Sequence, residues 1–255
     1  MLATRRKSAI NVQFPQTEIF RYFDPTTEEG ETVEFRLIYK GQLPAQSSGG
    51  GGSRLKEKHS IRKVFHKQLR ELWKQHPDLR AQAEQTFVIT TTPQNQVSPP
   101  GPGVRQIIPV TGETQNAKTW LEHVADSWQR CGGRFVPLIS KKGGFTCSLD
   151  VLFLRRDNPG NLIASGGDID NRLKVLLDAL KMPNDVPDLA GLPIEADENP
   201  FFCLLQDDSL ITDLSVTTDR LLTPQDVDEK IHDVVLVVHV KMVNPSAVFA
   251  GNRLI

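Results

Sequence analysis

Fourteen residues in the second half of the chain concentrate the side chains that do chemistry: Gly167-Asp168-Ile169-Asp170-Asn171-Arg172-Leu173-Lys174-Val175-Leu176-Leu177-Asp178-Ala179-Leu180. In an extended chain residues i and i+2 point the same way, so Asp168 and Asp170 present two carboxylates on one side. Leu173, Leu176, Leu177 and Leu180 follow at i, i+3, i+4 and i+7, the core stripe of an amphipathic helix. Asp170, Lys174 and Asp178 are spaced by four along the flank of that stripe. Carboxylates this close repel unless a cation neutralises them. A hard divalent ion such as Mg²⁺ suits them, because it takes oxygen ligands in near-octahedral geometry and leaves positions for water and a substrate phosphate. A calcium loop is the rival for Asp-x-Asp-Asn, and it fails. That loop needs Gly at its sixth position and Glu at its twelfth, where Leu173 and Ala179 stand. A capped helix with an acidic first turn explains Asp170 or Asn171, but not the lysine and the further acid together.

A second acidic pair, Asp207-Asp208, precedes the alternating run Ile211-Thr212-Asp213-Leu214-Ser215-Val216. If that strand lies beside the one ending at Asp168, Asp208 joins the same cation site. Three carboxylates plus a lysine then make a phosphodiester-cleaving constellation.

The elements that must position these residues are legible as patterns. Strands are expected near 33–40, 134–140, 145–155, 210–219 and 233–242, and helices near 55–85, 115–131 and 171–181. The run Val234-Val235-Leu236-Val237-Val238 is strongly β-branched and suits a central strand. Lys141-Lys142-Gly143-Gly144 reads as the basic tip of a β-hairpin joining 134–140 to 145–154. Trp120 and Trp128 fit a helix core better than a base-stacking platform. A short strand is expected at 87–91. The stretch Ser98-Pro99-Pro100-Gly101-Pro102-Gly103 must be loop, and Ser47-Ser48-Gly49-Gly50-Gly51-Gly52-Ser53 reads as a flexible linker, native or introduced. The organisation is an extension over 1–32, one domain over 33–245 with insertions near 87–115 and 182–205, and a tail over 246–255.

Charge is distributed unevenly. Residues 168–233 carry 16 acidic against 5 basic side chains, whereas residues 1–167 carry 23 basic against 15 acidic. Within 54–80, nine basic residues face three acidic ones, and Arg62, Lys63, Lys67 and Arg70 are candidate phosphate contacts, with Lys141 and Lys142 at the turn. A solvated basic helix face is the ordinary alternative. No apolar run reaches membrane-spanning length. The N-terminus lacks a secretory apolar core. Three cysteines without C-x-x-C spacing point to neither a disulfide framework nor structural zinc, which places the protein in the cytoplasm.

The pattern D-x-D-N-x-x-K-x-x-x-D-A-L followed by D-D-x-x-I resembles the RusA-type Holliday-junction resolvases, which are dimeric, Mg²⁺-dependent endodeoxyribonucleases. The resemblance covers about residues 145–220 well, and extends loosely to the first strand, the basic helix and the last strand. It implies an α+β fold, a mixed or antiparallel sheet flanked by helices, with Asp168, Asp170 and Asp208 as metal-binding acids and Lys174 as the catalytic lysine. Asp178 and Asp207 are the neighbouring secondary acids. Mg²⁺, with Mn²⁺ as a substitute, is the implied cofactor, and branched DNA and a second copy of the chain are the implied partners. The gap from Asp178 to Asp207 is 29 residues, longer than the family pattern, so Glu195, Asp197 or Glu198 could stand in for Asp208. The competing expectation is a non-catalytic DNA- or partner-binding protein that keeps the fold.

Overall fold

The computed structural model describes residues 33–43, 51–92, 104–109, 117–156, 169–222, 224 and 233–243. Asp168, the extension 1–32, the stretch 98–103 and the tail 246–255 lie outside the described residues.

The fold is α+β. A four-stranded mixed sheet has the order β1-β10-β7-β9, formed by β1 (Glu34–Gln42), β10 (Asp233–Val243), β7 (Thr146–Arg155) and β9 (Ile211–Arg220). β1 and β7 flank β10 antiparallel, and β9 runs parallel to β7. The β-branched β10 is therefore central. Alternate residues Val234, Leu236, Val238, Val240 and Met242 of this strand point into the core.

A second sheet, β5-β6-β8, joins β5 (Gln129–Arg130), β6 (Gly133–Ile139) and β8 (Phe201–Leu205). β6 and β8 run parallel. All five residues of β8, Phe-Phe-Cys-Leu-Leu, are buried, as expected of a strand covered on both faces. The end of the supposed insertion at 182–205 is thus a core strand. The hairpin expectation fails for a related reason: β6 pairs with β5 and β8, whereas β7 pairs with β10 and β9. Each strand finds more apolar cover in a different sheet. The intervening Lys141–Gly144 turn is an arch between sheets, with Gly144 at φ +71.

The helix expected over 55–85 begins earlier and breaks at His76. α1 (Gly51–Gln75) starts inside the glycine run that reads as a linker, and α2 (Pro77–Glu84) starts at a proline. Pro77 has no N–H to continue the ladder and fits the first helical position. Ile61, Phe65, Leu69 and Trp73, four residues apart, are all buried. Along α1 lie β8, α2, β1 and the helix that follows residue 168. α3 (Trp120–Ser127) is shorter than the expected 115–131, because the Thr119–Glu122 capping box stops the helix extending backward. It packs against β6, and Trp120 lies tilted against Trp73 with centroids 5.6 Å apart.

α4 (Ile169–Leu180) buries Val175, Leu176, Ala179 and Leu180, with Leu173 and Leu177 only partly covered. The buried stripe is rotated from the one the leucines alone suggest. Arg172 ties the start of this helix to the end of β1 by donating to the Leu43 carbonyl. β2 (Thr86–Thr92) pairs antiparallel with β3 (Val104–Pro109) on one side and with β4 (Lys118–Thr119) on the other, in a small separate sheet. Buried side chains from Val33 to Met242 form one continuous cluster. No described helix is long and apolar enough to cross a membrane.

Candidate active site

The flank of α4 carries Asp170, Lys174 and Asp178, and Lys181 follows the helix directly. Asp170 sits in the first turn, where its Oδ1 accepts the Asn171 N–H at 2.8 Å. Lys174 reaches back to Asp170, Nζ to Oδ2 3.4 Å, with both side chains more than half exposed. The lysine therefore pairs with the acid one turn before it, and not with Asp178. Asp178 is engaged by two other cations, Lys181 at 2.9 Å and Lys58 of α1 at 3.6 Å.

The parallel strands β6 and β8 bring a second group to the same end of α4. Gln206, just past β8, donates its N–H to the Ile139 carbonyl, and its side chain accepts the Lys141 N–H at 2.9 Å. Asp207 caps the short turn at 208–210 by accepting from the Ser209 N–H at 3.0 Å. Hydrogen bonds from Ser209 hold its carboxyl below the usual range, with Lys141 and Lys181 adding a smaller pull. Asp208 contacts Lys181, Oδ2 to Nζ 3.2 Å. Burial works to lower the Lys181 pKa, but Asp178 and Asp208 outweigh it and the ammonium is held above its ordinary value. Asp178, Lys181, Asp207, Asp208 and Lys141 thus meet beyond the carboxyl ends of β6 and β8. In sheets with parallel strands this is where ligand sites collect.

The sequence-derived acids do not all meet there. Asp170 and Lys174 occupy the first half of α4, and Asp208 approaches past its last turn. A rise of about 1.5 Å per residue puts the backbones of Asp170 and Asp178 about 12 Å apart along the axis. Among the described residues no three His, Cys, Asp or Glu side chains form a group able to hold a metal ion. The described acids consequently do not fit a three-carboxylate cation site, since Asp170 is paired with Lys174 and Asp208 with Lys181. Asp168 is outside the described residues.

The basic helix is corrected in part. Arg62 is 1% exposed, and its guanidinium donates to three carbonyls: Lys181 at 3.3 Å, Asp188 at 2.9 Å and Asp178 at 2.9 Å. It locks α1 to the end of α4 and cannot reach a phosphate. Lys63 binds Glu198 at 2.9 Å, and Arg70 donates to the Asp197 carbonyl at 2.9 Å. The acidic segment 182–200 therefore engages part of the basic helix from within the chain, Lys58 and Lys63 through carboxylates and Arg62 and Arg70 through backbone carbonyls. Glu195, Asp197 and Glu198 do not take the place of Asp208, since they face α1. Lys67, Lys141 and Lys142 remain exposed, the last with its ammonium 5.2 Å from the Trp128 ring centroid. Sequence reasoning missed Lys58, Lys181 and Asp188. Lys181 was detectable at i+3 from Asp178, but the Lys58–Asp188 pair at 2.9 Å spans 130 residues and leaves no local signal.

Comparison with protein-family models, curated proteins and solved structures finds no match for this chain.

Proposed function

We propose that this protein is an endodeoxyribonuclease that cleaves branched DNA, with Mg²⁺ as the natural cofactor and Mn²⁺ as a substitute. The supporting observation is the meeting of Asp178, Lys181, Asp207, Asp208 and Lys141 at the carboxyl ends of β6 and β8. On the same helix lies the exposed Asp170–Lys174 pair. Acids and lysines interleaved at one exposed edge are the side chains that phosphoryl transfer uses to orient and neutralise a phosphodiester. Lys174, held by one exposed carboxylate, can swing to a phosphate with little loss, because such a surface pair is worth about 0–1 kcal/mol. Lys181 is held by two acids and positions them. Lys141, Lys142 and Lys67 supply the exposed charge that attracts the DNA backbone. The free cysteines Cys131, Cys147 and Cys203 fit a reducing cytoplasm.

The experiment is cleavage of a labelled four-way junction against linear duplex of the same sequence, with Mg²⁺, Mn²⁺ or a chelator. Metal-dependent cutting of the junction, abolished by Asp208→Asn, supports the reading. Absence of cutting with junction binding intact favours a non-catalytic DNA-binding protein of the same fold. That second reading draws on a specific observation, the pairing of both described motif acids with lysines.

A further inference from the structure

Among the described residues, five charged side chains alternate in sign beyond the end of α4: Asp188, Lys58, Asp178, Lys181 and Asp208, joined in that order at 2.9, 3.6, 2.9 and 3.2 Å. Asp178 stands in the middle with both oxygens engaged, Oδ2 by Lys58 and Oδ1 by Lys181. Asp208 closes the row through its Oδ2. The Lys181 ammonium is therefore shared between two carboxylates and stands between them.

This lysine is built into the fold. Its N–H donates to the Leu177 carbonyl at 3.2 Å as the last turn of α4 closes, its carbonyl accepts from the buried Arg62 at 3.3 Å, and its backbone pairs with Leu205 at the end of β8. Only 16% of its side chain is exposed, against 59% for Lys174. A surface lysine leaves a loose ion pair for water at almost no cost. Withdrawing Lys181 instead leaves two carboxylates facing each other without the cation between them.

The spacing of the two acids is close to what one divalent ion needs. Asp178 Oδ1 and Asp208 Oδ2 are separated by no more than the sum of their contacts to Nζ, about 6 Å. An ion held by two carboxylate oxygens at about 2.1 Å brings them within about 4 Å of each other. Rotation of the exposed Asp208 side chain supplies that closure. We propose that the Lys181 ammonium fills the cation position between Asp178 and Asp208, so that the chain itself neutralises this pair and a divalent ion binds there only in competition with the lysine. Lys181 is thus a positioning residue that sets metal affinity, and it lies outside the D-x-D-N-x-x-K pattern. The consequence for cutting rests on the nuclease reading: a bound phosphodiester must draw the ammonium off Asp208, as an anion with strong acceptor oxygens can.

Calorimetric titration of the full chain with Mn²⁺, in the absence of DNA, tests this, with circular dichroism to confirm folding. Lys181→Met should bind Mn²⁺ more tightly than the wild type by about tenfold or more, because two carboxylates lose the cation between them. The gain should vanish in the double variant Lys181→Met/Asp208→Asn. Lys181→Gln, uncharged but still able to donate hydrogen bonds, should show the same gain and serves where the methionine variant does not fold. Lys181→Arg keeps the charge and should stay at the wild-type value. Asp208→Asn alone should leave the wild-type affinity unchanged, since the lysine already holds that carboxylate. Uncharged variants that bind Mn²⁺ no more tightly than the wild type overturn the proposal, as does a Lys181→Arg protein that binds as tightly as they do. So does a loss of about tenfold in Asp208→Asn alone, which would put an ion on Asp208 with the lysine in place. No DNA is present, so a chain that shows the gain but never cuts a junction refutes the nuclease reading and leaves this one standing.

Discussion

The Nδ1 of His66 accepts the backbone N–H of Phe202 at 2.8 Å, which ties the middle of α1 to the core strand β8. The bond requires a neutral ring with its proton on Nε2. His66 stacks on Phe201 at 4.2 Å between centroids, and His59, two turns earlier, lies against the same ring at 6.2 Å. Burial pushes both imidazoles down from 6.5 to about 4. Arg62 and then Lys63 add to the effect at His59, and Arg70 adds to it at His66.

Folding stability should therefore fall in mild acid. Both rings are neutral in the folded protein, whereas the unfolded chain binds protons below 6.5, so stability is full above that value and drains away as the pH drops toward 4. Urea unfolding at pH 7 and pH 5 should differ by on the order of 2 kcal/mol. Among the described residues neither ring nitrogen of His59 has a hydrogen-bond partner. His59→Phe should thus keep or raise stability at pH 7 and remove about half of the pH dependence. Equal midpoints at the two pH values would mean that the histidines are not held neutral.

Arg62 should behave as a structural lock. Removing the guanidinium orphans three carbonyls at the junction of α1, α4 and the 187–189 turn, and Arg62→Ala should cost about 3–5 kcal/mol. Arg62→Lys keeps the charge but cannot fork to three acceptors, and should lose about half as much. Chemical denaturation measures both. DNA affinity of the folded Arg62→Lys protein should match the wild type, since the residue is buried.

Lys174 separates chemistry from binding. Lys174→Ala should lower junction cleavage by on the order of a hundredfold or more, taking one electrostatic donor as about 2.7–4 kcal/mol. Binding and the unfolding midpoint should be unchanged, because the Lys174–Asp170 pair is exposed. Asp170→Asn should stop cutting and leave binding intact. Single-turnover cleavage and gel-shift titration are the paired measurements, and wild-type cutting by Lys174→Ala would make the lysine a mere helix-flank residue.

Salt dependence should distinguish the lysines that face outward from those already spent. Lys141→Ala and Lys142→Ala should each reduce the slope of log affinity against log salt by about 0.9. Lys63→Ala should leave that slope alone, since its ammonium is bound to Glu198 at 2.9 Å. Fluorescence anisotropy on a four-way junction across a salt series reads the slopes.

Local pattern determined much of this molecule. The alternation of β10, the four-residue spacing of Ile61, Phe65 and Leu69, and the leucines of α4 each announce an element, because side-chain periodicity is set by backbone geometry alone. The adjacency of Asp170, Lys174 and Asp178 on one helix flank was legible for the same reason. Which of them pair was not: Asp178 turns to Lys58 and Lys181, and only folding brings residue 58 beside residues 178 and 188. The run Phe201–Leu205 shows why an apolar segment is ambiguous on its own. It is indistinguishable from part of a loop insertion until β6 supplies a parallel partner and α1 covers it. The basic helix is the sharpest case, since nine cations against three acids over residues 54–80 suggest a nucleic-acid surface. Tertiary structure spends four of them, Lys58, Arg62, Lys63 and Arg70, on the acidic segment that the chain folds against them. Contacts at that sequence separation, whether the lysines' ion pairs or the arginines' bonds to carbonyls, have no local signature, because they depend on distance in space and not on position along the chain.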